Sequence, residues 1–216
     1  ECFSKCSSLK QIELPSSINE IKENTFEGCT LLNEIKLSPN ILSIGDNSFN
    51  GCSSMTTIDI PLYLTSIGNF SFCNCSSLTH IFIPKSVTHI GDKSFENCQS
   101  LKIISIPKSI STESIGLENK TKILINDEDS TSLYKFGRKL KKNDEIPSNK
   151  LETIKYYKLA IDKGNDYAMN GYAFMLQNGE GIPVNKEEAV KYYKMAIGKG
   201  NANAMNNYAR MLENGD

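Results

Sequence analysis

The first half of the chain repeats every 23 residues, and this period constrains the fold more than any other feature. The segments 7–29, 30–52, 53–75 and 76–98, here called coils 1 to 4, align without a gap, and coil 5 follows at 99–121. A fixed short period with recurring apolar columns predicts stacked coils, each placing the same side chain above its neighbour. Two columns stand out: Phe3, Phe26, Phe49, Phe72 and Phe95, and Cys6, Cys29, Cys52, Cys75 and Cys98.

Within a coil, apolar and polar residues alternate and then meet a proline. Ile12 and Leu14 alternate with polar neighbours, which predicts a half-buried strand that Pro15 ends. The Ile-Gly-Asp sequence at 44–46 predicts a glycine turn followed by an aspartate that caps a short helical turn carrying the phenylalanine. One coil buries too few side chains to offset the entropy of ordering it, so stacking must supply the rest.

The recurring cysteine admits three interpretations. A small apolar core residue that closes each coil is the favoured one. Zinc binding requires cysteines that converge on one point, whereas this column spreads its thiols along an axis. Disulfides stay open, because coils spaced about 4.7–4.9 Å apart lie within bridging range. Against them, the count of seven cysteines is odd, and side chains in one column point in parallel.

The segment SSLTHIFIPKSVTHIGDKSFENCQSL, residues 76–101, resembles the BspA-type leucine-rich repeat. The resemblance covers residue 1 to about 121 and implies a right-handed solenoid with parallel strands. It also implies protein binding or adhesion, without catalytic residues. Coil 5 departs from the pattern, because Glu113, Glu118 and Thr121 replace the isoleucine, phenylalanine and cysteine of their columns. The segment 123–125 is predicted to add a last strand that shields the stack.

From about residue 130 the alternation gives way to a helical pattern with a repeat of 36 residues. Helix A of this unit is predicted over about 166–178. Asn185 is predicted to cap helix B, with Glu188 as its capping-box partner, and Gly200 to end that helix. The segment is similar to Sel1-like repeats, relatives of the tetratricopeptide family. That resemblance implies an all-α superhelix and an adaptor role in assembling complexes.

The sequence therefore predicts a repeat protein of two solenoids. Residues 1–125 form the BspA-type leucine-rich repeat solenoid with its cap, and residues 126–216 form the Sel1-like helical repeats. The copy at 130–165 is degenerate, because Lys139 and Asn143 break its pattern. The copy at 166–201 is complete and that at 202–216 is partial. Both ends of the chain fall inside a repeat, which predicts a piece of a longer array with possible end-to-end self-contacts.

The first candidate site lies on the strand positions that face away from the core. His80, Phe82 and Ile103 form an apolar patch on a strip that is polar in coils 1 to 3. Such a patch is either an open anchor for a partner, a surface covered by the first helix of the second unit, or incidental exposure.

Further candidates lie elsewhere in the chain. Asn170, Asn206, Asn207 and Arg210 are predicted to grip a peptide or to form an ordinary solvated face. The basic run 138–142 is interpreted as a favourable interaction with a helix C-terminus, with membrane or nucleic-acid binding as the alternatives. Glycosylation is predicted at Asn69 and Asn119 if the chain is secreted, and less so at the crowded Asn74.

The sequence gives little support for catalytic activity. The two histidines suggest no catalytic set, and no phosphate-binding glycine motif is present. No enzymatic activity, cofactor or metal site is predicted. The net charge of −1 predicts no nucleic-acid partner, and no apolar run is long enough for a membrane span.

The leading hypothesis is a non-enzymatic protein-interaction scaffold whose protein or peptide partner is unknown. The alternatives are a cell-surface adhesion module and a regulatory repeat region of a larger enzyme, such as a kinase or ubiquitin ligase. Buried free thiols favour an intracellular setting, whereas the BspA-type resemblance favours the cell surface. Localisation, cell surface or cytoplasmic, therefore stays open.

Overall fold

The computed structural model of the protein describes residues 2–126, 130–142 and 149–214. It separates into two units, residues 1–127 and 128–216. The first unit is a solenoid of parallel strands, and the described part of the second unit contains five helices.

The coils of the first unit contribute short strands to two parallel ladders. The first ladder is interrupted at coil 3, which has no strand at 57–59, so β1–β3 and β6–β8–β9 are separate sheets, whereas the second ladder, β2–β4–β5–β7, is a single sheet. Neighbouring strands pair at the predicted step, with Ile12 beside Ile35 and Ile44 beside Ile67. The sequence predicted the first ladder and missed the second. The strands are β1 Gln11–Glu13, β2 Glu20–Ile21, β3 Glu34–Lys36, β4 Ser43–Ile44, β5 Ser66–Ile67, β6 His80–Phe82, β7 His89–Ile90, β8 Ile103–Pro107 and β9 Lys122–Asn126.

The segment after each glycine is a turn and not the predicted helical turn. Asp46 accepts hydrogen bonds from the backbone N–H of Asn69 at 2.8 Å and from its Nδ2 at 3.1 Å, so it links two coils instead of capping its own turn. Gly68 is required by this close stacking. A Cβ at Gly68 would lie 2.6 Å from the backbone nitrogen of Asp46. The left-handed conformation is adopted by Asn47, with φ of 54°, rather than by the glycine.

The core of the first unit is a column of stacked rings beside a column of thiols. Successive phenylalanine rings, from Phe3 to Phe95, lie 5.3–5.5 Å apart and within 11° of parallel. Each thiol donates to the phenylalanine carbonyl of the preceding coil, as in Cys75 Sγ to Phe49 O at 3.2 Å. The same bond joins Cys29 to Phe3, Cys52 to Phe26 and Cys98 to Phe72. The cysteine is therefore a hydrogen-bond donor as well as a small apolar residue.

The last turn of the stack is shorter than the others. Ile103 of β8 pairs with Lys122 of β9, a step of 19 residues, whereas His80 pairs with Ile103 at a step of 23. Ile115 fills the core of this turn and is fully buried. Thr121, at the cysteine column, donates through Oγ1 to Leu101 O at 2.8 Å. The predicted last strand is confirmed as β9.

The second unit is built from alternating A and B helices. The A helices are α1 Ser130–Lys141, α3 Asp166–Asn178 and α5 Ala202–Glu213, and the B helices are α2 Asn149–Asp162 and α4 Lys186–Gly198.

The predicted caps of helix B are confirmed. Asn185 accepts from the backbone N–H of Glu188 at 3.0 Å, and Gly200 follows the helix with φ of 86°. In return, Oε2 of Glu188 accepts a hydrogen bond from the side-chain amide of Asn185 at 3.2 Å, whereas in a capping box it would accept from the backbone N–H.

Aromatic side chains join the helices of each repeat. Phe136 and Tyr156 meet edge to face at 4.6 Å, and the equivalent pair Tyr172 and Tyr192 does so at 4.9 Å. The copy at 130–165, predicted to be degenerate, thus has both helices and the same aromatic pair. Lys139 is partly exposed there, and Asn143 lies outside the described residues.

Tyr157 packs against Gly171, which gives a stability prediction for the helical unit. A Cβ at position 171 would lie 2.7 Å from Cε2 of Tyr157, which is 3% exposed. We expect Gly171→Ala to lower the free energy of unfolding by about 1–2 kcal/mol, because overpacking exceeds the gain in helix propensity. The matched control is Gly198→Ala, which has open space around it and should be neutral or stabilising by up to about 1 kcal/mol. Urea unfolding followed by circular dichroism measures both, and shifts of the same sign and size would contradict the packing argument.

Candidate functional site

The ladder thiols lie in an environment that suppresses their reactivity. Burial raises the pKa of Cys52 and of Cys98 to about 12, and raises the pKa of Cys75 well above its ordinary value. The thiolate is the nucleophile and the metal ligand, so these residues are poorly suited to either role. Among the described residues, no group of three or more His, Cys, Asp or Glu side chains is arranged to hold a metal ion.

The patch predicted on the outer strand face is buried in the folded chain. His80, Phe82 and Ile103 are 2%, 6% and 4% exposed. The equivalent Gln11 and Glu34 of coils 1 and 2 are exposed. The interpretation of this patch as an open anchor therefore lacks the accessible surface that it needs. The sequence could not decide this, because the periodicity gives the direction of a side chain but not what covers it.

The predicted asparagines of the helical unit come together on its A helices. Asn207 of α5 donates through Nδ2 to Oδ1 of Asn170 on α3 at 3.0 Å. Asn206 and Arg210 of α5 are exposed. The structure thus brings Asn170 and Asn207 into contact across two repeats.

Aromatic side chains that sequence reasoning missed lie beside this pair. Tyr167 and Phe174 are 50% and 38% exposed, and the ring of Tyr134 on α1 lies 5.8 Å from that of Tyr167. Tyr167 and Phe174 stand three residues before and four residues after Asn170, and this spacing was the available signal, since such residues share a helix face. We call this surface the A-helix face: Tyr134, Lys135 and Arg138 of α1, Tyr167, Asn170 and Phe174 of α3, and Asn206, Asn207 and Arg210 of α5.

The three A helices are held in register by the asparagines that cap them. Asn165 and Asn201 each accept from the third helical N–H of their own helix, at 2.8 and 2.9 Å. Their side-chain amides donate to the first residue of the preceding A helix: Asn201 to Asp166 at 2.8 Å and Asn165 to Ser130 at 3.3 Å. Because each cap contacts two helices, the side chains of the A-helix face keep fixed relative positions.

The A-helix face carries positive charge. Acidic residues occur in the three A helices only at Asp166, which accepts from Asn201, and at Glu213. Lys135, Arg138 and Arg210 are exposed on the face.

Lys141, in the predicted basic run, pairs with Glu180: its Nζ lies 2.7 Å from Glu180 Oε2 and 4.9 Å from the ring centre of Phe174 on the A-helix face. The run also ends α1, where cations interact favourably with the helix dipole.

The two predicted glycosylation acceptors differ in their surroundings. Asn69 is partly buried, and its amide both donates to Asp46 and accepts from the backbone N–H of Asp92 at 2.8 Å. Asn119 is exposed. A glycan on Asn69 would remove a bond of the coil stack, whereas one on Asn119 would not. Glycosylation at either site stays a prediction.

The comparisons agree with this architecture. A family model described as the BspA type leucine-rich repeat region matches residues 1–118, in six copies. The chain belongs to the BspA-type leucine-rich repeat family. Its second unit consists of Sel1 repeats, matched at residues 132–165, 166–201 and 202–216. The comparison with curated proteins found no match. No helix in the described part of this BspA-type protein is long and apolar enough to cross a membrane.

Solved structures of bacterial leucine-rich repeat proteins are similar to the chain. A leucine-rich repeat protein of T. pallidum is 32% identical, with a TM-score of 0.53, over 57% of this chain and 59% of that chain. A leucine-rich repeat protein of Bacteroides ovatus is 31% identical, with a TM-score of 0.46, over 50% of this chain and 34% of its own. A leucine-rich cell surface protein of Faecalibacterium prausnitzii is 27% identical, with a TM-score of 0.48, over 53% and 31%. The matches thus span less than two thirds of each of these proteins.

The buried thiols predict that the BspA-type unit loses stability at alkaline pH. The ordinary pKa of the thiol is 9.0, whereas that of folded Cys52 is about 12, so the unfolded chain releases its proton first. The stability from the neutral thiol is complete below pH 9 and is lost as the pH rises towards 12, by about 1.4 kcal/mol per pH unit for each thiol.

Between about pH 8 and pH 10.5, the melting temperature should therefore fall less steeply with rising pH in Cys52→Ala than in the wild type. Ile67→Val, a fully buried and non-ionising position, is the matched control. It should lower stability equally at every pH. Equal slopes in Cys52→Ala and the wild type would contradict the burial of a neutral thiol.

Proposed function

We propose that this chain is a protein-interaction scaffold whose helical unit binds an extended, acidic segment of a partner protein along the A-helix face. The observation that carries the proposal is the contact between Asn170 and Asn207. It supports a binding role because it fixes two amides on a face that also exposes aromatic rings and cations.

The amide pair matches the hydrogen-bonding groups of a peptide backbone. One contact uses Nδ2 of Asn207 and Oδ1 of Asn170. Within the described residues, Oδ1 of Asn207 and Nδ2 of Asn170 have no further hydrogen bond. The pair therefore has at least one acceptor and one donor available, and a peptide group presents one N–H and one C=O. A segment crossing from α3 to α5 can use both.

The surrounding side chains favour a particular composition of that segment. Tyr167 and Phe174 offer aromatic surface on which apolar side chains of the partner can pack. Lys135, Arg138 and Arg210 favour carboxylates, because no carboxylate of the A helices other than Asp166 and Glu213 offsets their charge. The favoured ligand thus alternates acidic and apolar residues in an extended conformation.

Selection from a random peptide display library tests the proposal without a known partner. We expect acidic peptides to be enriched on the wild-type protein. Synthetic copies should bind Asn207→Ala about tenfold or more weakly, which corresponds to one or two lost hydrogen bonds. Their affinity should also fall with added salt.

The matched control is Asn33→Ala, an exposed asparagine of the other unit, which should leave the affinity unchanged. The melting temperature of Asn207→Ala should stay close to that of the wild type, so that a loss of binding can be distinguished from unfolding of the protein. The proposal fails if no peptide is enriched, or if the enriched peptides bind Asn207→Ala and Arg210→Ala as well as the wild type.

A further inference from the structure

The last strand of the BspA-type unit leaves one edge of a sheet open. β9 spans five residues, Lys122–Asn126, and pairs in parallel with β8. Within the described residues, β8 is the only strand paired with β9. In a sheet, the backbone groups of alternate residues point to opposite sides of a strand, so part of the N–H and C=O groups of β9 face away from β8.

Two isoleucines on this strand are exposed although they continue the core columns of the stack. Ile123 pairs beside Ile104 and Ile125 beside Ile106, and both partners are fully buried. Ile123 and Ile125 are themselves 40% and 53% exposed. The sequence predicted that this segment shields the stack. β9 does cover β8, but the isoleucines of β9 are themselves left exposed at the outer edge of the sheet.

We propose that the free edge of β9 binds an extended segment of a partner protein, which adds to the sheet as one more parallel strand. The donors and acceptors of the edge specify an extended backbone. Ile123 and Ile125 specify apolar side chains at two alternate positions of that segment. Lys120 and Lys122 are both exposed at the start of the strand and favour an acidic side chain nearby.

A single strand is a better occupant than a second copy of this chain, for a reason of size. The accessible part of the edge, Lys122–Ile125, offers four residues and two partly exposed isoleucines. A stable interface between two folded proteins buries about 1,200–2,000 Å² in total, far more than so short an edge supplies. The edge is, however, a direct continuation of the β6–β8–β9 sheet, in which each strand receives the next one in parallel. A short segment can therefore repeat the contact that β9 makes with β8.

The chain supplies a suitable probe. A fluorescent peptide of residues 8–16, SLKQIELPS, copies the strand of coil 1 and carries Ile12 and Leu14 at alternate positions with Glu13 between them. Fluorescence anisotropy should show saturable binding to the whole chain. The double variant Ile123→Thr with Ile125→Thr should bind at least about tenfold more weakly, since threonine keeps β propensity but removes apolar contact. Leu62→Thr, which is 52% exposed elsewhere in the same unit, is the matched control and should bind like the wild type.

Methylated peptides separate strand addition from unspecific apolar contact. The N–H groups of neighbouring residues in a strand point in opposite directions. Methylation of one of the two amides, that of Ile12 or that of Glu13, should therefore abolish binding, and methylation of the other should leave it intact.

Three results overturn the proposal. The first is the absence of saturable binding up to about 1 mM peptide. The second is equal binding by the double variant or by both methylated peptides. The third is self-association of the chain without peptide, measured by light scattering and lost in the double variant, because it would assign the edge to a second copy.

Discussion

The stacking of each coil on the preceding one is the interaction on which the BspA-type unit depends. Near-parallel phenylalanine rings lie 5.3–5.5 Å apart between centres, within the ordinary range for stacked aromatic pairs, and the thiol beside each ring donates to the phenylalanine carbonyl of the preceding coil. Buried serines add a third column, in which Ser71 donates to Gly68 O at 2.6 Å and to Gly45 O at 3.1 Å. No coil can satisfy these groups alone, so the stack forms as a whole or frays from its ends.

This arrangement determines where function can reside. The most reactive type of side chain in the first unit is the thiol, and the ladder cysteines Cys52 and Cys98 are buried with their pKa raised to about 12. The two surfaces proposed for recognition lie where the repeat changes. They are the A-helix face, where Asn207 replaces the Gly171 of the previous repeat, and the edge of β9, where the shortened last turn leaves Ile123 and Ile125 exposed. Both surfaces suit extended segments of other proteins.

The sequence predicted most of the fold because periodicity alone determines which side chains stack. The phenylalanine column, the first strand ladder, β9 and the Asn185 and Gly200 caps all followed from spacing and residue type. The second strand ladder was missed, because two-residue strands such as Ser43–Ile44 show no alternation. The 19-residue step of the last turn was missed, because the 23-residue period was extended over coil 5. The burial of His80 could not be predicted, because the alternation gives only the direction of its side chain. The contact of Asn170 with Asn207 joins residues 37 positions apart, which no local pattern encodes.

Native-state thiol labelling, resolved by mass spectrometry, tests the stacking account most directly, since nearly every coil contains its own reporter. Cys29, Cys52, Cys75 and Cys98 are buried, whereas Cys6 of the same column is exposed. The account predicts rapid modification of Cys6 and slow modification of the four buried thiols, each of which donates to a phenylalanine carbonyl of the preceding turn of the stack. Modification of Cys75 in the folded protein as fast as that of Cys6 would contradict it.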